Sequence, residues 1–150
     1  MIHLSSEQCI KHLLPLIELT MSEDVYKKAV EEFTVDDNYI TDVWGYFDLD
    51  KLIVVVSGGA EHSPKKVWLG YFAVHPDYRG KGLGTAALEF MEEQLKLRGY
   101  KWILVETYDN EICEPAIALY YKLDYKLVGS LADYLDDDSD AIFLRKNIGD

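Results

Sequence analysis

The segment RGKGLGT, residues 79–85, has residue types and spacing that suit anion binding. Its three glycines let the backbone approach a bulky anion closely, and Arg79 and Lys81 add positive charge. An amphipathic helical pattern starts at Gly82 and continues to Arg98. The first turn of a helix offers unpaired N–H groups and the positive end of the helix dipole. The segment therefore predicts a phosphate-binding loop.

Two common phosphate-binding patterns do not fit this loop. The dinucleotide fingerprint GxGxxG needs a third glycine where the chain has Leu83 or Thr85. The pattern GxxxxGK[ST] fails as well. Gly80 is the only glycine that a lysine follows, and the residue after that lysine is Gly82, where the pattern needs serine or threonine. The spacing that fits is R-x-x-G-x-G, at Arg79, Gly82 and Gly84.

The longer stretch Trp68–Leu88, WLGYFAVHPDYRGKGLGTAAL, resembles the main motif of the GNAT superfamily of acyl-CoA N-acyltransferases. The resemblance implies that loop amides hold the pyrophosphate of acetyl-coenzyme A and that the preceding strand bonds its pantetheine arm. Carried over to this chain, the implied cofactor-binding residues are Phe72, Ala73 and Val74 on the strand and Arg79, Gly80, Lys81, Gly82, Leu83, Gly84 and Thr85 in the loop.

A second segment, Ala116–Tyr125, is similar to the later A-x-x-L-Y-x-K-x-G-F segment of the same superfamily. The resemblance makes Tyr120 the general acid for the departing thiolate, whereas the apolar stripe of the helix would make Tyr120 a core residue. Tyr121 is the weaker choice, because it points about 100° away around the helix. Asp124 stands where the superfamily usually has glycine, which puts the turn in question.

A carboxylate near the end of a strand is the first candidate for a general base. Trp102, Leu104 and Glu106 alternate on one strand face, and Glu106 lies near the end of that strand. A carboxylate at a sheet edge is an equally good structural interpretation of Glu106. His75 precedes a proline in a turn and is expected to face solvent, and His62 has no partner visible in the sequence.

The acidic stretch 133–140 contains five aspartates in eight residues. A charged run of this kind is typical of a solvated hairpin loop. Some small GNAT proteins have a similar loop before their last strand, so a second interpretation is an acidic rim that selects a cationic amine.

Regular elements must position these residues. Periodicity predicts one helix from Ser5 or Ser6 to about residue 19, interrupted or kinked at Pro15, and a second helix capped by Ser22. In chain order, the remaining predicted elements are three strands, the helix that follows the glycine-rich loop, a strand, a helix and two strands. The predicted hairpin turn is Asp50-Lys51. The superfamily resemblance implies an α/β fold whose mixed, mostly antiparallel sheet has splayed middle strands and helices on both faces.

The composition limits the classes of partner. A chain of 150 residues, nearly half of them hydrophobic, predicts one globular domain over residues 1–150. The net charge of −12 argues against binding duplex nucleic acid or an anionic membrane. Cys9 and Cys113 form no metal motif or disulfide framework, so no metal is expected, and a reducing cytoplasmic location follows by default. A homodimer is compatible with these data.

The function expected from the resemblance is transfer of an acetyl group from acetyl-CoA to a primary amine by direct attack in a ternary complex. The acceptor is expected to be a small amine. Two alternatives stay open at this point: a protein lysine or N-terminal acetyltransferase, and a non-catalytic coenzyme A binding or regulatory module. Glu106 and Tyr120 argue against a pure binder, because a binder needs neither a base nor an acid.

Overall fold

The computed structural model describes residues 1–35, 42–59 and 63–150. His62 therefore lies outside the described residues. The strands are β1 (Ile2–His3), β2 (Asp42–Asp48), β3 (Lys51–Gly59), β4 (Lys66–Val74), β5 (Trp102–Tyr108), β6 (Lys126–Leu131) and β7 (Ala141–Asn147). The helices are α1 (Ser6–Gln8), α2 (Leu14–Thr20), α3 (Glu23–Val35), α4 (Leu83–Leu97) and α5 (Glu114–Lys122). In the described ranges no helix is both long and apolar enough to cross a bilayer.

The N-terminal helical region continues through Pro15 instead of ending there. Ser5 and Gln8 form a capping box at its start, and a π-helical turn over Cys9–Leu13 joins α1 to α2. Proline has no N–H to donate and its ring crowds the carbonyl four residues earlier. A widened turn directly before Pro15 accommodates both defects, so proline stands in the first turn of α2, where it is tolerated.

The hairpin between β2 and β3 turns one residue earlier than predicted. Asp48 pairs with Lys51, so the two connecting residues are Leu49 and Asp50. Leu49 has a φ of 53°, a left-handed conformation that leucine rarely adopts. The prediction of Asp50-Lys51 was wrong because residue preference favours a polar residue there, whereas the strand register placed a leucine.

The strands follow the order β1-β2-β3-β4-β5-β7-β6. The β1–β2, β2–β3, β5–β7 and β6–β7 pairs are antiparallel, and β4 pairs with β5 in parallel. The parallel pairs join Lys66, Val67 and Trp68 to Trp102, Ile103 and Leu104, at the amino-terminal ends of both strands. The mixed, mostly antiparallel α/β class predicted from the sequence is confirmed. The two-residue strand β1 was not predicted, because two residues carry no period.

The chain forms two compact units, residues 1–59 with 70–91, and residues 60–69 with 92–150. The first unit has a core in which the π-helical turn and helices α2 and α3 pack on strand residues such as Val43, Val55 and Ala73. The second unit buries Ile103, Val105, Tyr125 and Leu144 almost completely. Burial of these side chains is the main favourable contribution to folding of each unit.

Candidate functional site

The turn between β4 and α4 is held by its own backbone and by His75. The His75 N–H donates to the Ile53 carbonyl at 2.8 Å, and residues 76–78 form a 3₁₀ turn. The Asp77 N–H donates to Nδ1 of His75 at 3.2 Å. The side chain of His75 is only 15% exposed. His75 therefore caps the turn, and the expectation that it faces solvent was wrong.

The loop that follows has the backbone geometry that its glycines predict. Gly80 and Gly82 have φ values of 75° and 77°. A Cβ added at either position would meet no atom within 4 Å, so both glycines border open space. These two positions need glycine for conformation and leave room for a bulky group. Gly84 lies inside α4, so its role differs from that of the other two.

Helix α4 presents its amino terminus at this loop. The Ala86 N–H donates to the Gly82 carbonyl at 3.1 Å, so Gly82 is the N-cap residue directly before α4. The N–H groups of Leu83, Gly84 and Thr85 belong to the first turn, where the α-helical ladder supplies no acceptor. A helix of fifteen residues adds the positive end of its dipole. The loop therefore presents backbone donors in an arrangement that can bind an anion.

Two cations flank the loop in different ways. Nε of Arg79 donates to the Val74 carbonyl at 3.1 Å and ties the loop to the end of β4. Nζ of Lys81 lies 5.2 Å from the centroid of the Tyr78 ring. The Tyr78 hydroxyl donates to Oδ2 of Asp48 at 2.6 Å, and this hydrogen bond raises the pKa of Tyr78. Arg79 thus ties the loop to β4, and the side chain of Lys81 is exposed beside it.

The predicted pantetheine-facing positions form the carboxyl-terminal end of β4. Phe72 and Val74 are half-buried, and Ala73, on the other face, is buried in the core of the first unit. Phe72–Val74 and the loop therefore belong to the same unit. Arg79, the first residue of the loop, follows Val74 by five positions in the sequence.

Glu106 belongs to the second unit and is exposed on β5, opposite Phe143 of β7. Tyr108, two residues further, stacks on Tyr134 of the acidic stretch, with centroids 6.1 Å apart and an interplanar angle of 9°. The Asp109 N–H also donates to the Asp140 carbonyl at 3.0 Å. Burial, and after it the charge of Glu106, raises the pKa of Tyr108. The structure thus places the acidic stretch at the end of the strand that carries Glu106.

Tyr120 is buried in the second unit, with 5% of its surface exposed, and its ring centroid lies 5.6 Å from that of Tyr125. Burial, followed by the neighbouring Cys113, raises the pKa of Tyr120. The hydroxyl group is therefore protonated at neutral pH. Tyr121 is 47% exposed, as expected for a residue on a different face of the helix.

Asp124 adopts the left-handed conformation for which the superfamily uses glycine. Its φ is 68°, and the Tyr125 N–H donates to the Tyr120 carbonyl at 3.0 Å, which closes α5. The turn is therefore kept in spite of the aspartate.

Sequence reasoning missed one contact beside the strand of the candidate site. The Tyr71 hydroxyl donates to Oε2 of Glu32 at 2.5 Å. The two residues are 39 positions apart, so no local spacing could have paired them. The sequence offered one signal for the position of Tyr71. Side chains alternate along a strand, so Tyr71 lies on the same face of β4 as Ala73.

A family profile described as "Acetyltransferase (GNAT) family" matches residues 12–125. An acetyltransferase of Sodalis glossinidius (strain morsitans) is 39% identical over 62 residues, 41% of this chain and 42% of that protein. The alignment thus spans about two fifths of the length of this relative.

Two solved structures share the fold. A GNAT-family protein of Desulfovibrio desulfuricans matches with a TM-score of 0.85 and 18% identity, over 98% of this chain and 97% of that one. An aminoglycoside 6'-N-acetyltransferase complexed with coenzyme A matches with a TM-score of 0.76 and 19% identity, over 99% and 97%. On the family match, the chain belongs to the GNAT family of acetyltransferases.

Proposed function

We propose that this chain transfers an acetyl group from acetyl-CoA to the primary amine of a small acceptor, by direct attack in a ternary complex. The observation that carries the proposal is the loop at the start of α4, where Gly80 and Gly82 have positive φ and border open space. The first-turn amides of α4 and the exposed Lys81 suit a pyrophosphate. The coenzyme A complex of a structural neighbour supports the same donor.

The chain's own residues have distinct roles in this proposal. The amides from Lys81 to Thr85 hold the pyrophosphate, and Arg79 keeps their loop against the end of β4. The backbone of Phe72–Val74 binds the pantetheine arm. The donor supplies an acyl group that is already activated as a thioester, so no covalent enzyme intermediate is required.

Three proton transfers complete the reaction. The acceptor ammonium group, with a pKa of about 10.4, must lose a proton before its nitrogen attacks the carbonyl carbon. Glu106 is the proposed base, and its exposure lets water relay the proton. The C–N bond forms as the C–S bond breaks, and the nitrogen releases its second proton to water to give the neutral amide. Tyr120, protonated at neutral pH, is the proposed donor of a proton to sulfur.

A protein acceptor is the competing possibility. The exposed aspartates of the stretch 133–140 would suit a basic peptide as well as a small amine. The two classes differ in size and can be separated directly by assay. Release of free thiol from acetyl-CoA, measured over small amines and over peptides with a lysine or a free N-terminus, tests the acceptor. Turnover of peptides alone would refute the small-amine proposal.

The donor assignment is tested by two glycine variants of the same helix. Gly82 and Gly99 stand at the two ends of α4, both have positive φ, and an added Cβ meets no atom within 4 Å at either position. Gly82→Ala and Gly99→Ala should therefore cost similar stability, about 1 kcal/mol. Only Gly82→Ala should weaken acetyl-CoA binding, by roughly 10-fold or more in isothermal titration, because its methyl group displaces the pyrophosphate. Equal affinities in the two variants would show that the loop is not the binding site.

A further inference from the structure

The first unit contains an open cavity of about 690 Å³ that the proposed reaction does not use. Its walls are the π-helical turn with α2, the β2–β3 hairpin and the 3₁₀ turn after β4, all within residues 1–59 and 70–91. Of the described residues that line it, none is assigned above to the donor or to a proton transfer. The volume lies in the range of cavities that bind small molecules.

Leucine side chains form much of the apolar surface of this cavity. Leu16 and Leu52 are buried, whereas Leu19 and Leu49 line the cavity with 56% and 94% of their surfaces exposed. Single exposed leucines are common on protein surfaces, but here two elements direct exposed leucines to one concave place. The cavity can therefore cover the apolar part of a ligand and remove these side chains from water.

Two unusual backbone conformations also meet at the cavity. The π-helical turn Cys9–Leu13 contributes the lining residues Lys11 and His12, and turns of this kind are frequent at functional sites. Leu49 has its positive φ at the tip of the hairpin, where glycine would avoid the cost of a Cβ. Pro15 accounts for the π-helical turn, whereas nothing in the strand register requires leucine at position 49. A strained and exposed leucine is expected where its side chain has a use in binding.

The charges around the cavity favour an anion. Lys11 and Lys51 line it, and Nζ of Lys51 lies 5.9 Å from the centroid of the Tyr78 ring. Neither lysine forms an ion pair with an acidic side chain in the part of the chain that the structure describes. Of the two lining carboxylates, Asp48 already accepts the hydrogen bond of the Tyr78 hydroxyl, so Asp50 is the one that remains. Two lysines without ion pairs at one cavity are notable in a chain with a net charge of −12.

We propose that this cavity is a second ligand site, which takes a small monocarboxylate with an apolar chain. The ammonium groups of Lys11 and Lys51 donate hydrogen bonds to the carboxylate group, and the apolar chain covers the leucines, Leu49 included. A neutral ligand would leave both lysines without a counter-charge, and a cationic ligand would be repelled by them. The site is independent of the proposed function, because its lining residues and those of the reaction are separate sets.

Isothermal titration of octanoate, octanol and octylamine into the wild-type protein tests the class of ligand. The three molecules share an eight-carbon chain and differ in charge. Octanoate should bind about 10- to 100-fold more tightly than either of the others, the range expected for hydrogen bonds between charged groups. Equal or tighter binding of octanol or octylamine would refute the anionic class, and no binding of octanoate at millimolar concentration would refute the site.

Variants of the lining residues test the placement. Lys11→Gln combined with Lys51→Gln should reduce the octanoate affinity to that of octanol, whereas Lys28→Gln with Lys65→Gln, an equal charge change at exposed positions outside the cavity, should leave it within about twofold. Leu49→Gly relieves the left-handed conformation, so this variant should fold at least as stably as the wild type and still bind octanoate several-fold more weakly. Wild-type affinity in the Lys11 and Lys51 double variant, or in Leu49→Gly, would overturn the inference.

A titration of octanoate with coenzyme A present separates this cavity from the donor site. Undiminished binding is expected, because the two sites use different residues. Loss of octanoate binding in the presence of coenzyme A would make the cavity part of the donor site and would refute a second site. If coenzyme A itself does not bind, the proposed function fails, and the octanoate titrations of the wild type and variants still decide the cavity.

Discussion

At the scale of single residues, the burial of Tyr120 has two opposite effects on its proposed role as a general acid. It is almost completely buried, as a core residue is, and it carries a hydroxyl whose pKa is raised by that burial. A raised pKa makes the tyrosine a weaker acid and also ensures that it holds its proton at neutral pH. A protonated donor is useful for a thiolate leaving group, whose pKa is about 8.5.

Tyr120→Phe should lower kcat on the order of 10- to 100-fold and leave the affinity for acetyl-CoA nearly unchanged, because only the proton donor is lost. Tyr121→Phe is the matched control, since it removes a hydroxyl from the adjacent, exposed position. Steady-state kinetics and calorimetry give the two quantities. If both variants keep the wild-type kcat, Tyr120 is a core residue and not an acid.

Asp124 gives a second prediction at this scale, for stability. A left-handed φ of 68° is unfavourable for a residue with a Cβ, and glycine avoids that cost. Asp124→Gly should therefore raise the free energy of unfolding by up to about 1 kcal/mol, whereas Asp124→Val should lower it by more than about 1 kcal/mol. Urea denaturation measures both. A stabilising valine would contradict the strain at this turn.

At the scale of elements, the second unit is tied together by a partly buried charge. Oε2 of Glu92, on α4, lies 2.6 Å from Nζ of Lys146, on β7, and Oε1 of Glu92 accepts a hydrogen bond from the Tyr125 hydroxyl at 3.1 Å. The side chains of Glu92 and Lys146 are 13% and 22% exposed. One helix, one strand and a residue three positions beyond the end of α5 are thus joined through a single carboxylate.

Lys146→Met should lower the free energy of unfolding by about 1–3 kcal/mol, because the partly buried carboxylate of Glu92 would lose its cationic partner, and partial exposure moderates the loss. The control is Lys96→Met. Lys96 pairs with Asp150 at 3.1 Å, but both side chains are well exposed, so little change is expected. Equal effects in urea denaturation would mean that the Glu92 pair is as weak as a surface pair.

At the scale of the whole molecule, stability should depend on alkaline pH. Burial raises the pKa of Cys9, Tyr71, Tyr120 and Tyr125 alike. A group whose pKa is higher in the folded state favours folding fully below its unfolded pKa. Its contribution is lost as pH rises to the folded value, because the unfolded chain releases the proton first.

For Cys9 that window lies between about pH 8.5, the ordinary thiol value, and about 11. The free energy of unfolding should fall across this window, and Cys9→Ala should make the fall less steep by removing one titrating group. Denaturation curves recorded in steps of pH provide the slope. A variant with the wild-type slope would show that the thiol does not titrate differently in the two states.

Much of the fold and part of the site could be predicted from local pattern. The helix starting at residue 83 and ending before Gly99, the strand ending at Val74, and the glycine-rich loop between them depend on residues close in sequence. Glycine, proline and helix caps act over one turn of backbone, so their signals are local. The turn at Leu49, the π-helical turn before Pro15 and the cap role of His75 could not be predicted, because each depends on strand register or on compensation by neighbours.

The sequence by itself therefore determined the family and the loop at residues 79–85, since a recognisable motif and local conformational preferences carry both. Only the tertiary structure decided which side chains meet across long separations, among them Tyr71 with Glu32, Tyr108 with Tyr134, and Lys146 with Glu92. These contacts arise when strands align in register and helices pack on them. The physical reason is that pairing of distant residues follows from the topology of the chain, which no local spacing encodes.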